Sequence, residues 1–229
     1  MPSSMRQAIA RLMSFSKQHI PHYYLTVRPE IDAALVQRAV WNADRPKEEQ
    51  ISLNDLFVKA VALALPHHPH FNADYTDDQL QPQSRVNIGI AIALPDGLVA
   101  PAVLDCQERT LADISKQSRD LAARARLGTL KAAEYTGATF TITNLGMYHI
   151  DSFAAIVVPP QVGILAVGSV VTTPAYRDGV LAPAQQVALT LSADHRATDG
   201  AEGARFLADI VAALQAPELL FAPAPAAAG

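Results

Sequence analysis

The chain has 229 residues, 50% of them hydrophobic and 17% charged, with a formal charge of −4 and a single cysteine. A charged share below the roughly 25% usual in soluble domains argues against disorder over most of the chain and suggests that some surface is buried against other chains. One thiol excludes an internal disulfide and a cysteine-based zinc site and fits a reducing compartment, and the lack of a Lys/Arg block argues against a nucleic-acid groove or a polybasic membrane patch.

In chain order, Met5, Ile9, Leu12 and Met13 fall on one stripe and predict a helix over about 4–18, stopped by Pro21. His22 to Val27 reads as a strand. A helix over about 30–41 and a polar loop over 42–50 follow. Ser52 and Asp55 have capping-box spacing and open the next helix, which Pro66 ends. The Val/Ile-rich runs 86–94 and 98–104 flank Pro95-Asp96-Gly97 and predict a hairpin that turns on Asp96 and Gly97, both at positive φ. Thr110 and Asp113 open a further helix that Gly128 closes. Strands follow over 139–143, 163–171 and 187–193, with Asp178-Gly179 as a second hairpin turn before the last. A junction over 194–200 leads into a helix ending near Gln215, and the Ala/Pro-rich residues 222–229 read as a disordered tail. Strands and helices mix without strict βαβ alternation, and the two hairpins demand antiparallel pairing, so the expected class is α/β (α+β).

The uncharged stretch 152–171 is long enough to cross a membrane. Pro159, Pro160 and Gln161 interrupt it, and its Val/Ile-rich halves read as two buried strands and a turn. The N-terminus has no signal-peptide apolar run. The expectation is a cytoplasmic protein without a membrane partner.

Four groups of residues bear on chemistry. Asp194-His195-Arg196-Ala197-Thr198-Asp199-Gly200 sits where an apolar strand ends and a helix begins. A strand end is a rigid platform, so His195 is well placed as a general base. Asp199 can cap the helix and pair with an arginine, with Arg196, Arg6 and Arg11 as candidates. The same residues also describe a plain polar turn with a capping Asp. Alternation puts Thr139, Thr141 and Thr143 on one strand face, either as an ordinary threonine ladder or with one hydroxyl serving as an oxyanion donor. His67, His68 and His70 hint at a metal, but the prolines around them favour a solvated loop. Cys106 follows Asp105, an acidic neighbour that would weaken it as a nucleophile.

Taken together, these segments resemble the catalytic domain of the dihydrolipoamide acyltransferases, components of the 2-oxoacid dehydrogenase complexes. The resemblance runs from about Met5 to Leu220. It rests on Met5-Arg6-Gln7-Ala8-Ile9-Ala10-Arg11, Ile20-Pro21-His22, Ile51-Ser52-Leu53-Asn54-Asp55 and Val86-Asn87-Ile88-Gly89-Ile90-Ala91. Pro95-Asp96-Gly97-Leu98-Val99, Phe140-Thr141-Ile142-Thr143-Asn144-Leu145-Gly146, Pro159-Pro160-Gln161 and Asp194-His195-Arg196 with Asp199-Gly200 complete it.

The resemblance implies a fold like that of chloramphenicol acetyltransferase, a mixed sheet flanked by helices in a homotrimer, with the active site in a channel between subunits. It implies CoA or acyl-CoA as one substrate, a lipoyl group supplied by another domain or protein, and no metal. His195 matches the family's base, Thr143 the hydroxyl that stabilises the oxyanion, and Asp199 the residue that orders the site. Residues 1–221 would then be one catalytic domain, either an excised core or a free-standing homologue, without a lipoyl or subunit-binding domain. His149 stands where relatives of the pyruvate type usually have Gly, Val158 where they usually have Asn, and Leu12 where Arg is usual. The first two changes could alter the substrate channel. Trimers of the family often assemble further through an apolar C-terminus, and here an Ala/Pro tail follows Leu219-Leu220-Phe221. Two alternatives stand beside this reading: transfer to a carrier-protein thiol or small molecule, and a non-catalytic scaffold.

Overall fold

The computed structural model describes residues 3–95, 97–177 and 179–223. The chain opens with α1 (Ser4–His19), β1 (His22–Val27), α2 (Asp32–Asn42) and α3 (Leu53–Ala64). Six short elements follow: β2 (Ala73–Thr76), β3 (Gln79–Pro82), β4 (Ile88–Ile90), β5 (Ile92–Leu94), β6 (Gly97–Val99) and β7 (Ala102–Val103). The second half holds α4 (Leu111–Leu127), α5 (Ala132–Thr136), β8 (Phe140–Asn144), β9 (Gly163–Arg177), β10 (Val180–Asp194), α6 (Gly200–Gln215) and α7 (Pro217–Leu220).

The central sheet has the order β1-β10-β9-β8-β4-β7. β8 runs parallel to both β4 and β9, and the other pairs are antiparallel, so the sheet is mixed as expected. Period-two alternation divides its residues. Ile142, Leu165, Val167, Leu189 and Leu191 belong to the main core, with Leu56 and Phe57 of α3 and Phe206 and Ile210 of α6. Phe206 stacks on Phe71 and meets Phe140 edge-on. The opposite face carries Thr141, Thr143, Ile164, Thr190 and Ser192. There Ile164 packs with Ile20 and Val157 in a second, smaller cluster. The Ser16 hydroxyl at the end of α1 donates to the carbonyl of Val157 at 2.6 Å and ties that segment down.

The capping boxes form as read. Asp55 Oδ2 accepts from the backbone N–H of Ser52 at 2.8 Å, and Thr110 with Asp113 repeats the arrangement. Gly128 ends α4 at φ +67. The hairpin expected over 86–104 splits into two ladders, β4 with β7 in the main sheet and β5 with β6 outside it. Leu94 pairs with Gly97, so Gly97 belongs to β6 rather than to the turn. Asp96 lies outside the described residues. Gly97 serves a different need: a Cβ there would come within 2.9 Å of Ile9 Cδ1 on α1. At the second hairpin Arg177 pairs with Val180, and Gly179 has the expected positive φ of +80. Asp178 is not described. β9 and β10 run past the predicted 171 and 187 because their polar ends pair with each other as a ribbon. The first half of 152–171 carries no regular secondary structure in place of the expected strand. Of the predicted tail, the residues from 224 onward are outside the described range.

Candidate active site

The β10–α6 junction is held from several directions. Asp194 ends β10 with 1% exposure. Its carboxylate accepts from Arg196 Nε at 3.0 Å and Nη2 at 2.6 Å. The Arg196 guanidinium in turn lies 4.4 Å from the centre of the Tyr75 ring. Arg196, a sequence candidate for Asp199, is therefore committed to Asp194. Replacing it with Met leaves the buried carboxylate without a counter-charge, holding only the bond from the residue-196 backbone N–H. Arg196→Met is expected to lower unfolding free energy by about 2–3 kcal/mol, below the 3–5 of a fully buried pair because the guanidinium is partly exposed. Urea denaturation checks this. The double variant with Asp194→Asn should recover part of the loss.

His195 follows, exposed, with its backbone N–H donating to the carbonyl of Pro21 at 3.0 Å. Its ring meets the Tyr23 ring edge-on, with centroids 5.0 Å apart. Asp199 is the N-cap of α6, and its Oδ1 accepts from the Glu202 backbone N–H at 2.8 Å. That bond, then one from Ala201, holds the Asp199 carboxyl below the usual carboxylate range, and the charges of Arg205 and His195 add to the effect. Among the described residues no arginine forms an ion pair with Asp199.

Thr139, just before β8, and Thr141 and Thr143 within it are not equivalent. Thr139 donates to Asn72 Oδ1 at 2.6 Å and Thr141 to Gln161 Oε1 at 2.7 Å. Thr143 is half-buried, and its hydroxyl has no hydrogen-bond partner among the described residues. The next residue, Asn144, lines a cleft of about 490 Å³ with Asn54, Ile90, Ala91, Met147 and Val170. Gly146 and Gly168 bring the following loop close to β9, where Ser169 N–H donates to the Ile150 carbonyl at 2.8 Å. A Cβ on Gly168 would stand 1.9 Å from the carbonyl oxygen of Asp151. Gly168→Ala must therefore displace that backbone, and a loss of about 1–3 kcal/mol is expected in chemical denaturation. His149 ends the loop in the left-handed region at φ +59, where Gly costs least. Val158 packs against the small cluster of Ile20, Val157 and Ile164.

Thr143 and His195 do not meet within one chain. Thr143 pairs with Ala166, and Ala166 with Thr190, five residues before His195. Two strand spacings and five residues along a strand amount to roughly 10 Å across and about 17 Å along the sheet. The Thr143 side chain belongs to the face opposite α3 and α6, whereas the His195 ring lies against Tyr23, which packs on the core beside α6.

The other sequence candidates are structural. His68 Nε2 lies 2.7 Å from Asp209 Oδ2 and His70 Nδ1 lies 2.9 Å from Glu202 Oε1, so the histidine loop docks on α6. Among the described residues no cluster of three or more His, Cys, Asp and Glu could hold a metal ion. Cys106 is buried, and burial pushes its thiol up to about 12. Among the described residues no helix is long and apolar enough to cross a membrane. Tyr23 was missed in the sequence, where it registers only as one of several strand aromatics.

Comparison with known proteins follows the same lines. The dihydrolipoyllysine-residue acetyltransferase component of the pyruvate dehydrogenase complex from Rhizobium meliloti is 39% identical over 209 residues, 89% of this chain and 47% of the relative. The chain thus spans about half the length of the curated relatives it matches. A dihydrolipoamide acetyltransferase from Azotobacter vinelandii, investigated for the role of one serine, one histidine and one asparagine in its catalytic mechanism, superposes with a TM-score of 0.92 at 28% identity, covering 97% of this chain and 93% of that one. The cubic core of a pyruvate dehydrogenase multienzyme complex gives a TM-score of 0.91 at 28% identity, with 97% and 93% of the two chains covered. Chloramphenicol acetyltransferase shares the fold, with a TM-score of 0.60 at 14% identity over 89% of this chain and 94% of that one. The family model for the 2-oxoacid dehydrogenases acyltransferase catalytic domain matches residues 2–222, and the chain belongs to that family.

Proposed function

We propose that the protein transfers an acetyl group between CoA and a dihydrolipoyl thiol, with His195 as general base, Thr143 as oxyanion donor and Asp199 ordering the β10–α6 turn. One observation carries the residue roles. The serine, histidine and asparagine of the Azotobacter vinelandii enzyme stand 52 and then 4 residues apart, and Thr143, His195 and Asp199 have the same two spacings here. A threonine can replace a serine as hydroxyl donor, and Asp can replace Asn as helix cap.

The chemistry needs no covalent enzyme intermediate. The attacking thiol gives its proton to the His195 imidazole. Its sulfur then bonds to the thioester carbonyl carbon, and the carbonyl oxygen becomes an oxyanion that accepts a hydrogen bond from Thr143. Collapse breaks the bond to the other sulfur, which leaves as a thiolate and takes the proton back from His195. The same steps run in either direction.

The separation of Thr143 and His195 supports a site built from two copies, one supplying each residue. A homotrimer closes such interfaces, and higher assembly is in keeping with the multienzyme cores to which the chain is similar. In this reading residues 1–221 form one catalytic domain, and the lipoyl group arrives on another domain or on a separate lipoylated protein. A cytoplasmic setting suits a chain whose one thiol is buried and reduced.

The test is acetyl transfer from acetyl-CoA to free dihydrolipoamide. Turnover is the expected result. A folded, assembled protein inactive with acetyl, succinyl and branched acyl donors would sink the dihydrolipoyl reading.

A further inference from the structure

The start of β1 brackets the His195 turn at two points. Pro21 holds it by the backbone, accepting from His195 N–H. Tyr23, two residues on, holds it by the side chain. The Tyr23 hydroxyl donates to the carbonyl of Asp199 at 2.8 Å and lies 3.0 Å from the Thr198 hydroxyl. Thr198 is itself buried and tied back to the Asp194 carbonyl through its N–H at 3.1 Å. One phenol therefore fixes the far end of the turn, while its ring sits edge-on to the imidazole at 5.0 Å.

The closeness of α6 is part of the arrangement. A Cβ on Gly203 would fall 2.9 Å from the Tyr23 hydroxyl, so only glycine lets the helix approach. Burial raises the phenol above its ordinary pKa, and Glu202 and Asp199 add to that rise, so the group remains a donor across neutral pH.

We propose that Tyr23 is a positioning residue for the acyl transfer, setting the imidazole of His195 through its ring and the 198–199 turn through its hydroxyl. The proposal rests on His195 being the base. Tyr23 does not touch the reacting atoms and acts through His195. Its loss should then appear in kcat and leave KM alone.

The experiment compares Tyr23→Phe, Tyr23→Leu, His195→Ala and the double variant Tyr23→Leu/His195→Ala in acetyl-CoA to dihydrolipoamide transfer. Tyr23→Phe keeps the ring and loses the hydroxyl bonds, and kcat is expected to fall about fivefold. Tyr23→Leu also frees the imidazole, and kcat is expected to fall about 10–10²-fold, the cost of a misplaced catalytic group. KM for both substrates should stay within about twofold, and the double variant should be no slower than His195→Ala alone. Folded Tyr23 variants at wild-type kcat beside an inactive His195→Ala would overturn the Tyr23 role and leave the base in place. Additive losses in the double variant would also overturn it, since Tyr23 would then act independently of His195. Full activity in His195→Ala would remove the base and the positioning role together. Should Tyr23→Leu fail to fold, Tyr23→Phe decides the matter by the same criteria, with Tyr23→Phe/His195→Ala as its double variant.

Discussion

His195→Ala is expected to lower kcat for acetyl transfer to dihydrolipoamide by about 10²–10⁴-fold, the range a positioned general base supplies. A thiol with a pKa near 8.5 is only about 3% thiolate at pH 7, and the thiolate is the nucleophile. An imidazole is the side chain best matched to removing that proton near neutrality. The fold should not notice the change, because the His195 ring is exposed and meets the Tyr23 ring edge-on rather than filling the core. Thermal unfolding and oligomer size should therefore match the wild type. KM should barely move, since the base acts as the thiol loses its proton. A folded His195→Ala protein keeping a third of wild-type turnover would remove His195 from the chemistry.

That expectation comes from residues readable in the sequence, and the reasons are local. His195 and Asp199 are separated by four residues, and the strand end, the cap and the helix start all leave signatures within that span. The capping boxes at Ser52 and Thr110 and the left-handed Gly128 were legible for the same reason. What escaped depends on partners far away in the chain. The β2–β3 hairpin turns on Asp77 and Asp78, at φ +53 and +57, without a glycine to announce it. Arg196, one of three arginines offered for Asp199, instead pairs with Asp194 and finds Tyr75 across the fold. Spacing could not choose among Thr139, Thr141 and Thr143. The choice needed Asn72 and Gln161, each more than fifteen residues away in sequence, to engage Thr139 and Thr141. Tyr23 meets its partners across |i−j| of 175 and 176, a separation no periodicity records.

Thr143→Val is expected to lower kcat by about 10²–10³-fold, the usual cost of one lost oxyanion donor, while Thr143→Ser stays within about tenfold of wild type. The hydroxyl has no partner among the described residues, so its removal leaves no internal bond unsatisfied. Valine keeps the shape and the β-branch that suits a strand. The more demanding test uses two inactive proteins together. Thr143→Val retains His195, and His195→Ala retains Thr143. If each site takes one residue from each of two neighbouring copies, mixing the variants at equal amounts before assembly rebuilds intact sites. In a closed ring of randomly mixed copies, about one interface in four pairs an intact Thr143 with an intact His195. Activity should then return to about a quarter of wild type per site, far above the sum of the two variants alone. A site contained within one chain would give no such recovery, because every copy in the mixture would lack one of the two groups.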